Sequence, residues 1–225
     1  MLEKNLKDVF DLVKDGNDYG EPITVVGATK TMSVETINKA IELGLKVVAE
    51  NKVQEFNLKH EHIIGAEQHF IGHLQTNKVK YLVGKVKLIQ SVDSLHLAEE
   101  IDKTAKKKDV IQDILIEVNI GGELSKSGFN KENAFNNALL ICKKYQNLRV
   151  KGLMAMLPHV DDQNLLVSLC KDMRKIYNDL KAKGLPMEHL SVGMSNDYKV
   201  AIKNGSNMIR LGRTIFGERN YGEIK

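Results

Sequence analysis

The stretch ITVVGATKTMSVETINKAIELGLKVVA, residues 23–49, reads as strand, turn, helix, turn and strand. Ile23 to Thr29 is β-branched and uncharged, the composition of a strand buried on both faces, as in a parallel sheet. Ser33 is a good N-cap, and Thr36 to Leu43 carries apolar residues at helical spacing. Gly44 closes that helix in the left-handed conformation that glycine adopts most cheaply. Leu45 to Ala49 then opens a second strand. Two such strands joined by a helix form a right-handed parallel βαβ unit.

The same alternation continues in both directions. An amphipathic segment at residues 2–14 precedes it, with charges and apolar residues at helical spacing. After it come strand-like runs at His69–Ile71, Val86–Ile89 (leading into Ser91-Val-Asp93), Asp113–Ile120, Val150–Met154, His189–Ser191 and Met208–Leu211. Helical patterns separate them: from about Asn51, around Lys78 to Val83, Ser94 to Lys107, Lys131 to Tyr145, Asp162 to Lys183, and Asp197 to Lys203. Eight strand-then-helix units predict a single (β/α)8 barrel of the TIM type with an extra N-terminal helix. An open doubly wound sheet is the competing architecture.

Composition is consistent with one domain over residues 1–225. The chain is 42% hydrophobic and 28% charged, and its three prolines mark no interdomain linker. Its net charge of +4 is spread among acids. Lys106-Lys107-Lys108 is read as a solvated helix end and not a nucleic-acid patch, since aromatic-rich basic motifs and tryptophan are absent. Cys142 and Cys170 lie in helical patterns without His or Cys partners at metal spacing, so they read as buried thiols in a reducing compartment and no metal site is expected. With neither a secretory signal nor a membrane-length apolar run, the expected location is cytoplasmic.

In a barrel, function collects at the C-terminal ends of the strands. Those ends supply Lys30, Glu50-Asn51, Gly72-His73, Ser91 to Asp93, Asn119, Met154 to Met156, Ser195-Asn196, and Arg210 with Gly212 and Arg213. At an apolar barrel mouth, desolvation lowers the pKa of a lysine and frees its amine as a nucleophile toward aldehydes. Position alone nevertheless favours the plainer reading, in which Lys30 reaches solvent or pairs with Glu50. Ser191 to Asp197 is a glycine-containing loop that opens a helix, and Ile209 to Gly217 offers a second such turn. Two anion-receptive turns after the last two strands fit a phosphate. Of the rest, Asn51 bonds a ligand or starts a helix, and His73 is a ligand group or a satisfied histidine. Asn119 and Asp93 tie loops, Met154, Met156 and Met194 line core or pocket, and Lys126 is solvated or meets an anion at the rim.

Several motifs complete the picture: Val-Gly-Ala-Thr-Lys30, Glu50-Asn-Lys-Val-Gln-Glu55, His69-Phe-Ile-Gly-His-Leu-Gln-Thr-Asn-Lys78, Gln90-Ser-Val-Asp-Ser94, Val118-Asn-Ile, Ser125-Lys-Ser-Gly128, Lys151-Gly-Leu-Met154, Gly193-Met-Ser-Asn-Asp197 and Arg210-Leu-Gly-Arg-Thr-Ile-Phe-Gly217. From about Ile23 to Tyr221 the chain resembles the pyridoxal phosphate homeostasis protein family (the YggS/PROSC group), relatives of the N-terminal barrel of alanine racemase. The resemblance implies that Lys30 holds pyridoxal 5'-phosphate as an internal aldimine. It also implies that Ser195 and the backbone at Gly212 and Arg213 take the phosphate, that Arg210 faces the pyridine nitrogen, and that Asn51 lies beside the ring. Two departures stand out. Ala49 replaces the usual glycine before Glu50, and Arg213 stands where many members have a small hydroxyl residue, which puts a side-chain contact there in doubt.

An arginine at the pyridine nitrogen keeps that nitrogen unprotonated and weakens the ring as an electron sink. The resemblance therefore implies a protein that stores, buffers or delivers the cofactor, with recipient apo-enzymes as possible partners and no residue called catalytic. The alternative is a small amino-acid racemase. That reaction needs acid–base groups on both faces of the substrate carbon, and Lys30 supplies one. In alanine racemase the other comes from an additional β-domain, for which a chain ending at Lys225 leaves no room; Tyr198, Tyr221 or His73 are the substitutes available. At most trace racemase activity, and a monomer, are expected. A phosphate-binding barrel enzyme without the cofactor is a third reading, which the resemblance disfavours.

Overall fold

The computed structural model describes residues 1–218. The first unit forms as its residues dictate. β1 (Thr24–Ala28) is followed by α2 (Val34–Glu42), whose N-cap Ser33 accepts a hydrogen bond from the Thr36 N–H. Gly44, at φ +108°, ends it and turns the chain into β2 (Val47–Glu50). α1 (Leu2–Val13) lies ahead of this unit and buries Leu6, Val9 and Val13 against Val25, Ile37 and Leu45.

The remaining strands are β3 (Glu67–Phe70), β4 (Leu88–Val92), β5 (Gln112–Asn119), β6 (Phe129–Asn130), β7 (Leu148–Ala155), β8 (His189–Val192) and β9 (Met208–Leu211). All pairings are parallel, in the order β4-β3-β2-β1-β9-β8-β7-β5, and β4 also pairs with β5. That last pairing closes the sheet into an eight-stranded barrel and removes the open-sheet alternative. β6 is a two-residue addition beside β5 that sequence reasoning did not anticipate.

Helices α3 (Val53–Lys59), α4 (Leu95–Lys107), α5 (Lys131–Lys144), α6 (Gln163–Ala182), α7 (Tyr198–Lys203) and α8 (Arg213–Phe216) cover the outside. The segment expected as a helix around Lys78 is instead a 3₁₀ helix, Thr76–Tyr81, tightened by bonds such as Leu82 N–H to Val79 O. Val79 within it and Leu82 and Val83 just after it are completely buried in the β3–β4 connection. Lys106, Lys107 and Lys108 are exposed at the end of α4, as expected, and the Lys108 ammonium also donates to the carbonyls of Lys80 and Val83, both at 2.8 Å. α6 buries Leu166, Leu169, Cys170, Met173, Tyr177 and Leu180, each large apolar side chain contributing roughly 1.5–3 kcal/mol. Cys142 and Cys170 are both free thiols.

Inside the barrel sit Val26, Val47, Ala49, Leu88, Leu115, Met154 and Met208. Polar side chains share this interior: His69, Gln90, Glu117, Ser191 and Arg210 are all buried. Among the described residues no helix is long and apolar enough to cross a membrane, and no group of three or more His, Cys, Asp or Glu is placed to hold a metal ion.

Candidate functional site

A cavity of about 540 Å³ opens at the C-terminal mouth of the barrel, and its wall includes Lys30, Asn51, Ser195, Arg210, Gly212 and Arg213. All six residues expected from the sequence therefore meet in one place. Ile71, Met156 and Met194 supply apolar wall, while Met154 lies in the barrel core. His159 and Glu218 also line the cavity, and neither was singled out in the sequence.

The chain around Lys30 is held from both sides. The Thr29 hydroxyl donates to Glu50 Oε1 at 2.8 Å, and the Thr31 N–H donates to Glu55 Oε2 at 2.8 Å. Lys59 joins the two acids, at 2.8 Å from Glu50 and 3.0 Å from Glu55. Burial raises the Glu50 pKa even with Lys59 beside it, whereas the hydrogen bonds from Thr31 and Lys59 hold Glu55 below its usual value in spite of its partial burial. Thr31 has φ +67°, an unfavourable conformation for a β-branched residue. The Glu55 bond fixes it there, so the backbone next to Lys30 carries strain. The i, i+4 spacing of Glu55 and Lys59 was visible in the sequence; their reach across to the β1 turn was not.

Asn51 follows β2 without entering α3, whose N-cap is Lys52. Its Oδ1 is buried and has no hydrogen-bond partner. Gly72 presses on it from the β3 turn: a Cβ there would lie 1.9 Å from the Asn51 carbonyl oxygen. Only glycine fits behind Asn51.

The two anion-receptive turns adjoin. Gly193, at φ +107°, leaves space for Tyr198 and Ala201, and its carbonyl accepts from the Arg210 N–H at 2.9 Å. The Asp197 carboxylate takes the Met194 N–H at 2.6 Å, which shapes the loop carrying Ser195. Ser195 Oγ accepts from the Thr214 N–H at 3.4 Å, so its hydroxyl stands at the first turn of α8. The Arg213 side chain donates to Asn196 Oδ1 at the exposed rim. Gly212 and Arg213 thus begin α8 at the cavity wall, where helix-terminal amides attract an anion.

Arg210 is buried, and both terminal nitrogens are engaged. Nη1 donates to Ser191 O at 2.7 Å and Ser191 Oγ at 2.6 Å, and Nη2 donates to Ala155 O at 2.9 Å. Burial lowers its pKa to about 10, against the attraction of Glu117 and Asp197, so it stays cationic at neutral pH. Burial, aided by repulsion from Asp93, pushes Glu117 up to about 7, with Arg210 opposing. Because the folded pKa exceeds the unfolded one, folding takes up a proton, and the associated stability is lost as pH rises toward and through 7. Glu117→Gln should therefore gain a few kcal/mol on the wild type between pH 5 and pH 8 in denaturant titrations; parallel stability–pH curves would refute this.

The other residues weighed in the sequence fall elsewhere. His73 is exposed, 3.2 Å from Asp93 and 3.3 Å from Ser127 Oγ, and lines a separate open depression. Asn119 ties its loop through Glu123 and Lys126. Lys126 is partly exposed, pairs with Glu123 and donates to Leu157 O at 3.1 Å. Neither it nor the buried Tyr198 lines the cavity. Tyr221 lies outside the described residues.

Fold and site together define a (β/α)8-barrel protein whose mouth joins an amine, a buried guanidinium and an anion cradle. The model of the alanine racemase N-terminal domain family matches residues 16–220. A relative from Aquifex aeolicus named pyridoxal phosphate homeostasis protein is 43% identical over 200 residues, covering 88% of this chain and 87% of the relative. The chain belongs to the alanine racemase N-terminal domain family and, within it, to the pyridoxal phosphate homeostasis proteins. Among solved structures, a protein from Bifidobacterium adolescentis described as unknown has a TM-score of 0.89 at 30% identity, with 96% of this chain and 94% of that one covered. PipY of Synechococcus elongatus, solved with PLP bound, has a TM-score of 0.83 at 24% identity, with 96% and 100% covered, a likeness of fold.

Proposed function

We propose that this chain is a pyridoxal 5'-phosphate-binding protein that stores, buffers or delivers the cofactor. The observation that carries the proposal is the cavity joining Lys30 to Asn51, Arg210 and the Ser195–Gly212–Arg213 turns. The donor set fits the cofactor: an amine for the aldehyde, amides and a hydroxyl for the phosphate, and apolar wall for the ring. The buried, unpartnered Oδ1 of Asn51 is a polar atom that a ligand would satisfy. When bound, pyridoxal phosphate supplies an aldehyde that reacts with amines and a ring that withdraws electrons from the attached group.

In this reading residues 1–225 form one cofactor-binding domain, and each residue has a limited task. Lys30 anchors the cofactor and is not called catalytic. Ser195 and the amides of Gly212 and Arg213 hold the phosphate. Arg210 would face the pyridine nitrogen, where a cation would disfavour ring protonation and so restrain carbanion chemistry. The names of the relatives support a homeostatic role over an enzymatic one. Apo-enzymes as recipients and a monomeric, cytoplasmic working form complete the proposal.

Racemisation would need a second acid–base group opposite Lys30. His73 and Tyr198 do not line the cavity, whereas His159 does. Incubation with pyridoxal phosphate should turn the protein yellow, and alanine racemase assays should give at most trace turnover. A colourless protein would overturn the binding reading, and Lys30-dependent turnover that falls in His159→Ala would replace the carrier with an enzyme.

A further inference from the structure

Four buried polar side chains run in file through the barrel and connect two cavities. Arg210 lines the one at the mouth. His69 lines another, of about 810 Å³, at the N-terminal floor between α1 and the strand beginnings. Between them lie Gln90 and Ser191, both 0% exposed.

The direction of every hydrogen bond in the file follows from one fact: arginine only donates. Arg210 Nη1 donates to Ser191 Oγ at 2.6 Å, so the hydroxyl proton of Ser191 is left for Gln90 Oε1, at 2.7 Å. With its oxygen used, Gln90 presents its amide hydrogens to His69 Nδ1 at 3.0 Å and to Met208 Sδ at 3.3 Å. His69 Nδ1 is therefore an acceptor, and the ring proton sits on Nε2, which faces Glu67 at 3.6 Å.

A second proton on His69 would have to go to Nδ1. Two N–H groups would then oppose one another, and Gln90 would have to turn its amide over. Ser191 would meet an NH₂ where it now has an oxygen, at the atom that supports Arg210. Enclosed side chains have few alternative rotamers, so a change at one end is felt at the other.

We infer that His69 and Gln90 are positioning residues for Arg210, and that this file carries the state of the barrel floor to the guanidinium in the ligand cavity. Burial holds the His69 ring neutral, and most of the charges around it are paired with one another. Arg149 and Asp113 pair at 2.5 Å, and Lys151 pairs with Glu188. Glu67 favours a charged ring, while burial, first, and then Lys87 oppose it, and the His69 pKa is lowered. His189, itself pushed down by burial and by His69, faces it from β8, and Lys46 lines the same cavity.

The ligand-side consequence rests on the pyridoxal phosphate reading; the effect on Arg210 does not. The test uses the full chain labelled with ¹⁵N at histidine and arginine, first alone and then with pyridoxal phosphate. Arg210 signals are assigned by their absence in Arg210→Lys. In the wild type His69 should carry its proton on Nε2. In Gln90→Leu and His69→Phe the Arg210 guanidinium hydrogens should exchange with water at least about tenfold faster, as loss of a hydrogen bond to a charged group gives. His69→Gln, which keeps an acceptor for Gln90 and lacks a titrating ring, should restore slow exchange. In the loaded protein the absorbance maximum should shift in the first two variants and stay in the third. Unchanged Arg210 exchange in Gln90→Leu, or a wild-type proton on His69 Nδ1, would overturn the inference. If His69→Phe fails to fold, Gln90→Leu and the wild-type tautomer decide. If the wild type takes up no pyridoxal phosphate, the functional reading fails, and the unliganded exchange rates still decide this inference.

Discussion

Lys30→Ala is expected to abolish covalent retention of pyridoxal phosphate and leave the barrel folded. Lys30 is half-buried at the mouth, outside the apolar clusters, and its removal opens no core cavity. Thr29 and Thr31 keep their bonds to Glu50 and Glu55 through atoms that the substitution does not touch. The phosphate cradle remains, so the variant should still bind the cofactor weakly and release it on gel filtration, colourless. Ser195→Ala should behave in the opposite sense. It should stay coloured but lose affinity about tenfold or more, the effect of one hydrogen bond to a charged group. Absorbance and equilibrium dialysis on both variants separate the two roles. A Lys30→Ala protein that stays yellow after desalting would contradict them.

The largest effect on folding is expected from Gly152→Ala. Gly152 lies on β7 opposite His189 of β8. A Cβ there would sit 1.8 Å from the His189 carbonyl oxygen, 2.7 Å from its carbon and 3.0 Å from its nitrogen. All three are backbone atoms of a closed barrel, so relief requires β7 and β8 to part. A domain stabilised by roughly 5–15 kcal/mol does not survive that. The expected result is no cooperative thermal transition and loss of native circular dichroism. Gly184→Ala is the control: at φ +86° with nothing within 4 Å, it should cost only the roughly 1–2 kcal/mol of a left-handed non-glycine backbone. A folded Gly152→Ala protein melting near the wild type would refute the packing argument.

The main course of the fold was legible because each unit repeats one pattern, an uncharged β-branched run followed by an amphipathic helix. Strand ends could then be listed, and Lys30, Asn51, Ser195, Arg210, Gly212 and Arg213 fell on that list before any geometry was known. What escaped notice has a common cause. A barrel strand is buried on both faces, so alternation does not separate the residues facing the interior from those facing the helices. Glu117 and Ser191 therefore looked like ordinary members of strand-like runs, and Gln90 stood only as part of a motif. The Glu50–Glu55–Lys59 cluster depends on α3 folding back over the β1 turn, a tertiary contact. Close approaches at Gly72 and Gly152 leave no trace in periodicity, and His159 enters the cavity from a loop.

The central claim, that Lys30 is the anchor of the bound cofactor, is tested most directly by borohydride reduction of the loaded protein followed by tryptic peptide mapping. A reduced, modified lysine resists trypsin. The account predicts one labelled peptide spanning Asp15–Lys39, with Lys30 uncleaved inside it. Label on a different lysine, or none at all, would contradict it.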